Sequence, residues 1–161
     1  MRIGVISDTH DNARNVARMV EVLRGARVER LIHTGDITRP ATLRLFAELG
    51  VPLFGVYGNN DVERETLAAA AAEFGFTLAD PPLELRWAER RIVVVHDRKE
   101  HPELPYAACD VLLHGHDHRL ALERVNGTLV FNPGECAGWL EGRNAVGVLD
   151  LARLEADVLR F

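Results

Sequence analysis

Along the first half of the chain, short apolar runs alternate with segments whose apolar side chains recur at helical spacing. Residues 2–7 are apolar on both faces, as in a buried strand of a parallel sheet, and end at Asp8-Thr9-His10. Val16, Met19, Val20 and Leu23 then follow the i, i+3, i+4, i+7 rule, with Asp11 or Asn12 as a cap and Gly25 as a stop. A second strand over 30–34 ends at Gly35-Asp36. The next helix starts at Pro40, carries Leu43, Phe46 and Ala47 on one face and stops at Gly50. A third strand over 51–57 runs into Gly58-Asn59-Asn60-Asp61, and an alanine-rich helix follows over 67–74. This β-α-β-α-β-α series predicts a parallel sheet with right-handed crossovers.

After Pro81-Pro82 the period shortens to two. Residues 83–87 and 90–95 form a predicted hairpin whose second arm ends at His96-Asp97. A loop with His101, Pro102 and Pro105 leads to an apolar strand at 111–113, followed by His114-Gly115-His116-Asp117-His118. Residues 120–125 and 128–131 flank Asn126-Gly127, a strong hairpin signal. Asn132-Pro133-Gly134-Glu135 reads as a turn-rich loop, and 145–151 with 154–159 as a last strand pair. No linker, repeat or low-complexity segment interrupts the chain, so two sheets sharing one core within a single domain, 1–161, is the economical architecture.

Composition narrows the function classes. At 161 residues and 47% hydrophobic, the chain can bury a sizeable core. A formal net charge of -5 argues against a nucleic-acid partner, since phosphate backbones are bound through Lys and Arg clusters. No apolar run has membrane-spanning length, so no membrane partner is expected. Met1-Arg2 leads straight into the first strand without the apolar stretch of a signal peptide, and Cys109 and Cys136 form no disulfide framework; a cytoplasmic location is the expectation.

The chemistry lies at the strand ends. In an extended segment, residues two apart point to the same side, so the rings of His116 and His118 converge. Taken alone, His114 to His118 reads equally well as a metal site or as a solvated turn. The remaining strand ends decide it: Asp8 and His10, Asp36, Asn59, and His96 all fall at the C-terminal edge, where open α/β sheets collect ligands. Seven metal-capable side chains at one edge point to a dinuclear centre. Two neighbouring divalent ions need a shared anion, and Asp36, after a strand and a Gly, is the candidate bridge. Asp8, His10 and His118 would complete one ion, and Asn59, His96 and His116 the other. Four positive charges less two carboxylates and one hydroxide leave about one, which a phosphodiester monoanion cancels and a monoester dianion exceeds. In-line hydrolysis by a hydroxide held between the ions is the expected reaction. Asn60 and Asp61 join Asp36 and Asn59 in the expected catalytic set. His33 and His114 read as packed residues, His101 as an exposed loop residue, and Trp139 as a substrate edge or an oligomer contact. The long apolar strands of the second half offer an edge for self-association.

Asp-x-His, Gly-Asp, Gly-Asn-x-Asp, a strand-end His and Gly-His-x-His, in this order, resemble the calcineurin-like metallophosphoesterases, and the size and the Asn-Pro-Gly loop resemble their small bacterial and archaeal phosphodiesterases. The resemblance implies an α/β sandwich of two mixed sheets flanked by helices. It implies a bridging role for Asp36 and ligand roles for Asp8, His10, Asn59, His96, His116 and His118. Mn²⁺ is the usual activating ion implied, and the mixed N/O donors also suit Fe, Ni or Zn. Three positions depart from the pattern. Asn60 stands where relatives carry His or Cys and cannot act as a general acid near neutral pH. Asp97 replaces a common Gly, and Glu135 a common Ser. The complete ligand set argues against a non-catalytic scaffold on the same fold; a nuclease or phosphomonoesterase is the enzymatic alternative.

Overall fold

The first strand, β1 (Arg2–Ile6), uses both of its apolar faces. Ile3 and Val5 enter a core between two sheets, and Ile6 enters a second core beneath helices. Gly4 leaves room on the helical side, where Leu23 and Leu31 come within 2.8 and 2.9 Å of the position a Cβ would take. The computed structural model describes residues 1–102, 104, 109–140 and 142–161; Pro105 lies outside them.

The predicted alternation follows. Helix α1 (Ala13–Gly25) is capped by Asn12, whose side chain accepts from Asn15 N at 3.1 Å. Then come β2 (Arg30–His33), α2 (Pro40–Ala47) beginning on its proline, β3 (Leu53–Val56) and α3 (Arg64–Glu73). One strand escaped the sequence pattern: β4 (Thr77–Ala79) pairs in parallel with β3, Phe54 opposite Thr77. Three residues carry too little alternation to stand out, and the pairing itself makes them a strand.

The second half contributes β5 (Leu83–Trp87), β6 (Arg90–Val94), β7 (Val111–Leu113), β8 (Ala121–Val125), β9 (Thr128–Asn132), β10 (Ala145–Asp150) and β11 (Glu155–Arg160). Two mixed sheets result, ordered β11-β10-β1-β2-β3-β4 and β5-β6-β7-β9-β8. Strands β1 to β4 are parallel, as are β6, β7 and β9; β10 runs antiparallel to β1. The last strand pair of the sequence reading therefore closes the first sheet.

Ile3, Val5, Ile92, Val94, Val111, Leu113, Leu129 and Phe131 fill the space between the sheets. The Phe131 ring reaches within 2.2 Å of where a Gly147 Cβ would stand, so only glycine lets it cross to β10. Val16, Met19, Leu23 and Phe46 cover the opposite face of the six-stranded sheet, and Leu43 and Leu67 extend that layer. The most apolar strands of the second half, β6, β7 and β9, are interior; the edge strand β8 exposes Glu123 and Arg124. No described helix is long and apolar enough to cross a membrane.

Candidate metal centre

Because β1, β2, β6, β7 and β9 each run into their loops at one edge, that edge receives Asp8 and His10, Gly35-Asp36, His96, His116 and His118, and Glu135. The turns there are tight. Asp8, His10, Asp36, His116 and His118 all adopt positive φ (52°, 41°, 61°, 73° and 55°), a conformation non-glycine residues rarely hold. Backbone contacts join the loops: Asp8 N donates to Gly35 O at 3.1 Å and His10 N to Asp36 O at 3.2 Å. Gly58 and Gly115 permit this crowding. A Cβ on Gly58 would lie 2.2 Å from Asp36 Oδ1, and one on Gly115 1.9 Å from Ser7 Oγ.

Six imidazole and carboxylate side chains and one amide meet here. Asp36 Oδ2 is 3.5 Å from His10 Nε2 and 3.5 Å from His96 Nε2. Asp8 Oδ1 is 3.5 Å from His118 Nε2. Asn59 Oδ1 is 3.0 Å from His96 Nε2 and 3.0 Å from His116 Nδ1, and these two nitrogens are 3.3 Å apart. Donor atoms about 2.1 Å from one cation are separated by about 3.0–3.4 Å in octahedral or tetrahedral geometry. The spacings around Asn59, His96 and His116 fall in this range, and those to Asp36 Oδ2 and Asp8 Oδ1 lie just above it.

Hydrogen bonds outside the cluster turn the lone pairs inward. His96 Nδ1 donates to Thr34 O at 2.9 Å, which leaves Nε2 unprotonated toward Asp36. His118 Nδ1 faces Glu135 Oε2 at 3.4 Å, and His116 Nε2 faces Asp97 Oδ2 at 3.5 Å. Carboxylate partners of this kind fix the tautomer of a ligating imidazole and raise its basicity. Two buried atoms of the cluster, Asp8 Oδ1 and His10 Nε2, have no hydrogen-bond partner among the described residues. Burial pushes the Asp8 carboxyl above the ordinary carboxylate range, while the Ser7 hydroxyl, which donates to its Oδ2, acts the other way, as do His96 and His118. A buried carboxylate oxygen and a buried imidazole nitrogen, both orphaned and facing each other's neighbours, are what a divalent cation satisfies.

The structure thus brings Asp8, His10, Asp36, Asn59, His96, His116 and His118 together. Asn60 and Asp61, also in the expected set, both hydrogen-bond to Asp36. Asn60 donates from its backbone N to Asp36 Oδ1 (2.9 Å) and from its side-chain amide to Asp36 Oδ2 (2.8 Å). Asp61 lies behind the cluster, 1% exposed, accepting from Asp36 N (2.9 Å), Gly58 N (2.7 Å) and Thr38 N (2.7 Å). It is a backbone staple that holds Asp36 in place. His33 is fully buried: its Nδ1 accepts from Gly35 N at 3.2 Å, so Nε2 donates to Thr9 Oγ1 at 3.1 Å, and burial pulls its pKa to about 3. His114 is buried beside Asn132, and His101 ends the short 3₁₀ turn Arg98–Glu100. Cys136 is an inert core thiol, pushed up to about 12 by burial.

Sequence reasoning treated Glu135 only as an extra anion. In the structure it is 1% exposed and joins His118 to the following loop, accepting from Leu140 N at 2.6 Å. That loop is pinned to the start of α1, where Asn12 Nδ2 donates to Ala137 O (2.7 Å) and Asn15 Nδ2 to Cys136 O (3.1 Å). It thereby lays Trp139 across two of the cluster's imidazoles, its ring stacked on His10 (4.5 Å between centroids) and His118 (4.7 Å). A cleft of about 690 Å³ opens beside His10 and Asn60.

A family profile for the calcineurin-like phosphoesterase superfamily domain matches residues 1–153. A curated phosphodiesterase of Methanocaldococcus jannaschii is 31% identical over 159 residues, 96% of each chain. Among solved structures, an archaeal phosphodiesterase superposes with a TM-score of 0.92 at 30% identity, covering 100% of both chains. Vps29 of Entamoeba histolytica has a TM-score of 0.70 at 17% identity, covering 100% of this chain and 99% of its own, a likeness of fold alone. The chain belongs to the calcineurin-like phosphoesterase superfamily, and it is a hydrolase of phosphoesters.

Proposed function

We propose that the protein hydrolyses small phosphodiesters at a centre of two divalent ions, with Mn²⁺ as the expected activator. The observation that carries this reading is the position of Asp36, whose Oδ2 lies 3.5 Å from an imidazole nitrogen of each ligand group, His10 on one side and His96 on the other. Asp8, His10 and His118 would hold one ion and Asn59, His96 and His116 the other, with Asp36 between them. Ions bound there supply Lewis acidity toward a phosphoryl oxygen and acidify a water.

The protein's own contribution is orientation. Asn60 steadies the Asp36 carboxylate through two hydrogen bonds. Thr34 O, Glu135 and Asp97 keep the imidazoles of His96, His118 and His116 in the tautomers that point a lone pair inward. Trp139 shields the His10–His118 flank from water. The cleft beside His10 and Asn60 receives one ester arm. Nearby carboxylates favour a diester: Glu135 and Asp97, each touching a ligating imidazole, repel a monoester dianion more than a diester monoanion. Asn60 carries no proton it can give to a leaving group, so activated aryl diesters are the expected best substrates.

The test pairs elemental analysis with turnover of bis(p-nitrophenyl) phosphate and p-nitrophenyl phosphate in Mn²⁺. The diester is expected to react faster, and Asp36→Asn to lose most activity together with one metal equivalent. A faster monoester would remove the diester assignment, full occupancy in Asp36→Asn would remove the bridge, and a metal-loaded protein without turnover would be a scaffold.

A further inference from the structure

Among the described residues, two clefts border the centre, and their charges differ. The one beside His10 and Asn60 has Arg39 as its cation among the described residues, with Nε 3.1 Å from Asp11 Oδ2, and Glu63 shares its wall. Its net charge is not positive. The second, about 620 Å³, opens on the other side of His118 and gathers Arg119, Arg143 and Arg160. All three arginines are exposed, and none forms an ion pair among the described residues; Arg160 gives one N–H to Gly142 O at 3.3 Å. The acid that lines this wall among the described residues, Glu135, is turned inward, its oxygens engaged by Leu140 N and facing His118. In a chain with 19 basic and 24 acidic residues, positive charge without an ion-pair partner among the described residues is therefore concentrated at one wall of the centre. His118 is the partition: its Nε2 faces Asp8, while the residue also lines the arginine cleft.

We propose that the arginine cleft is a subsite for a second phosphate group of the substrate, carried on one arm of the ester. The substrate then lies across the centre with its charged arm at Arg119, Arg143 and Arg160 and its uncharged arm in the cleft beside Asn60. Guanidinium groups suit this task because their N–H pairs match two phosphate oxygens at once. A cleft of this size holds a nucleotide-sized arm. The proposal rests on the phosphodiesterase reading and names its substrate class: diesters bearing one further phosphate.

The experiment compares thymidine 3′,5′-bisphosphate with thymidine 5′-monophosphate as ligands of the metal-loaded protein by calorimetry, alongside turnover of bis(p-nitrophenyl) phosphate, whose arms are uncharged. The bisphosphate is expected to bind about tenfold more tightly, the weight of one or two charge-assisted contacts at an open site. In the Arg119→Ala, Arg143→Ala double variant the two nucleotides should bind within about twofold of each other, while turnover of the uncharged diester is kept. Equal binding by the unaltered protein, or a preference that survives the double variant, overturns the subsite. If the arginine-dependent preference appears but no diester is turned over, the subsite stands and the hydrolytic reading falls.

Discussion

Asp61→Ala removes a carboxylate that is 1% exposed and accepts three backbone hydrogen bonds, from Asp36 N at 2.9 Å, Gly58 N at 2.7 Å and Thr38 N at 2.7 Å. Each orphaned buried N–H costs about 1–3 kcal/mol, and water entering the vacated space recovers part of that. The expected loss is about 3–5 kcal/mol, a large share of the roughly 5–15 kcal/mol that holds a domain folded. Asp61→Asn is the informative companion. Two of the three donors converge on Oδ2 and one on Oδ1, so an amide oxygen in the Oδ2 place keeps two bonds and sets its NH₂ against Thr38 N. That variant should lose about 1–3 kcal/mol. Both are measured by urea denaturation with chelator present, so that metal binding does not add to the folded state. Activity should fall further than stability alone implies, because Asp36 sits at φ 61° and relaxes once its N–H is released. A loss below about 1 kcal/mol in Asp61→Ala, or equal losses in the two variants, would refute the staple.

Three further outcomes follow from the same geometry. Glu135→Ala should weaken metal affinity about 10–100-fold in a chelator competition, since His118 loses the carboxylate that orients it; unchanged affinity would exclude that role. His33 is held neutral with a pKa near 3, whereas the unfolded chain takes up this proton below about pH 6.5. Stability is therefore complete above pH 6.5 and falls on acidification toward pH 3 by about 1.4 kcal/mol per unit; His33→Asn should lose this component, and identical pH slopes for the two proteins would contradict it. Asn60→His should speed hydrolysis of unactivated alkyl diesters about tenfold or more by supplying a proton donor, and no gain on alkyl diesters would count against a missing leaving-group acid.

Much of the fold was legible because its parallel strands are apolar on both faces and its helices keep the 3.6 period. The meeting of the candidate ligands was legible for a related reason: each follows a strand, and strand ends in a parallel arrangement share an edge. What escaped depends on contacts between loops. β4 exists through pairing with β3. Asp61 looks like any acid in a ligand-rich motif, and its role appears only when three backbone N–H groups turn toward it. Glu135 and His118 come from loops after different strands, so no local spacing links them. Trp139 could be read as a substrate edge or an oligomer contact; its stacking on His10 and His118 depends on Asn12 and Asn15, which hold its loop from the opposite end of the chain.

The chain has two tryptophans, and they occupy unlike surroundings: Trp87 packs edge-on to Phe54, 4.8 Å between centroids, while Trp139 rests on His10 and His118. An indole stacked on two rings of the proposed metal centre is an intrinsic optical probe. Loading with a paramagnetic ion should dim the emission of Trp139 and leave that of Trp87 untouched, so occupancy of the centre can be followed in real time without a label or a substrate.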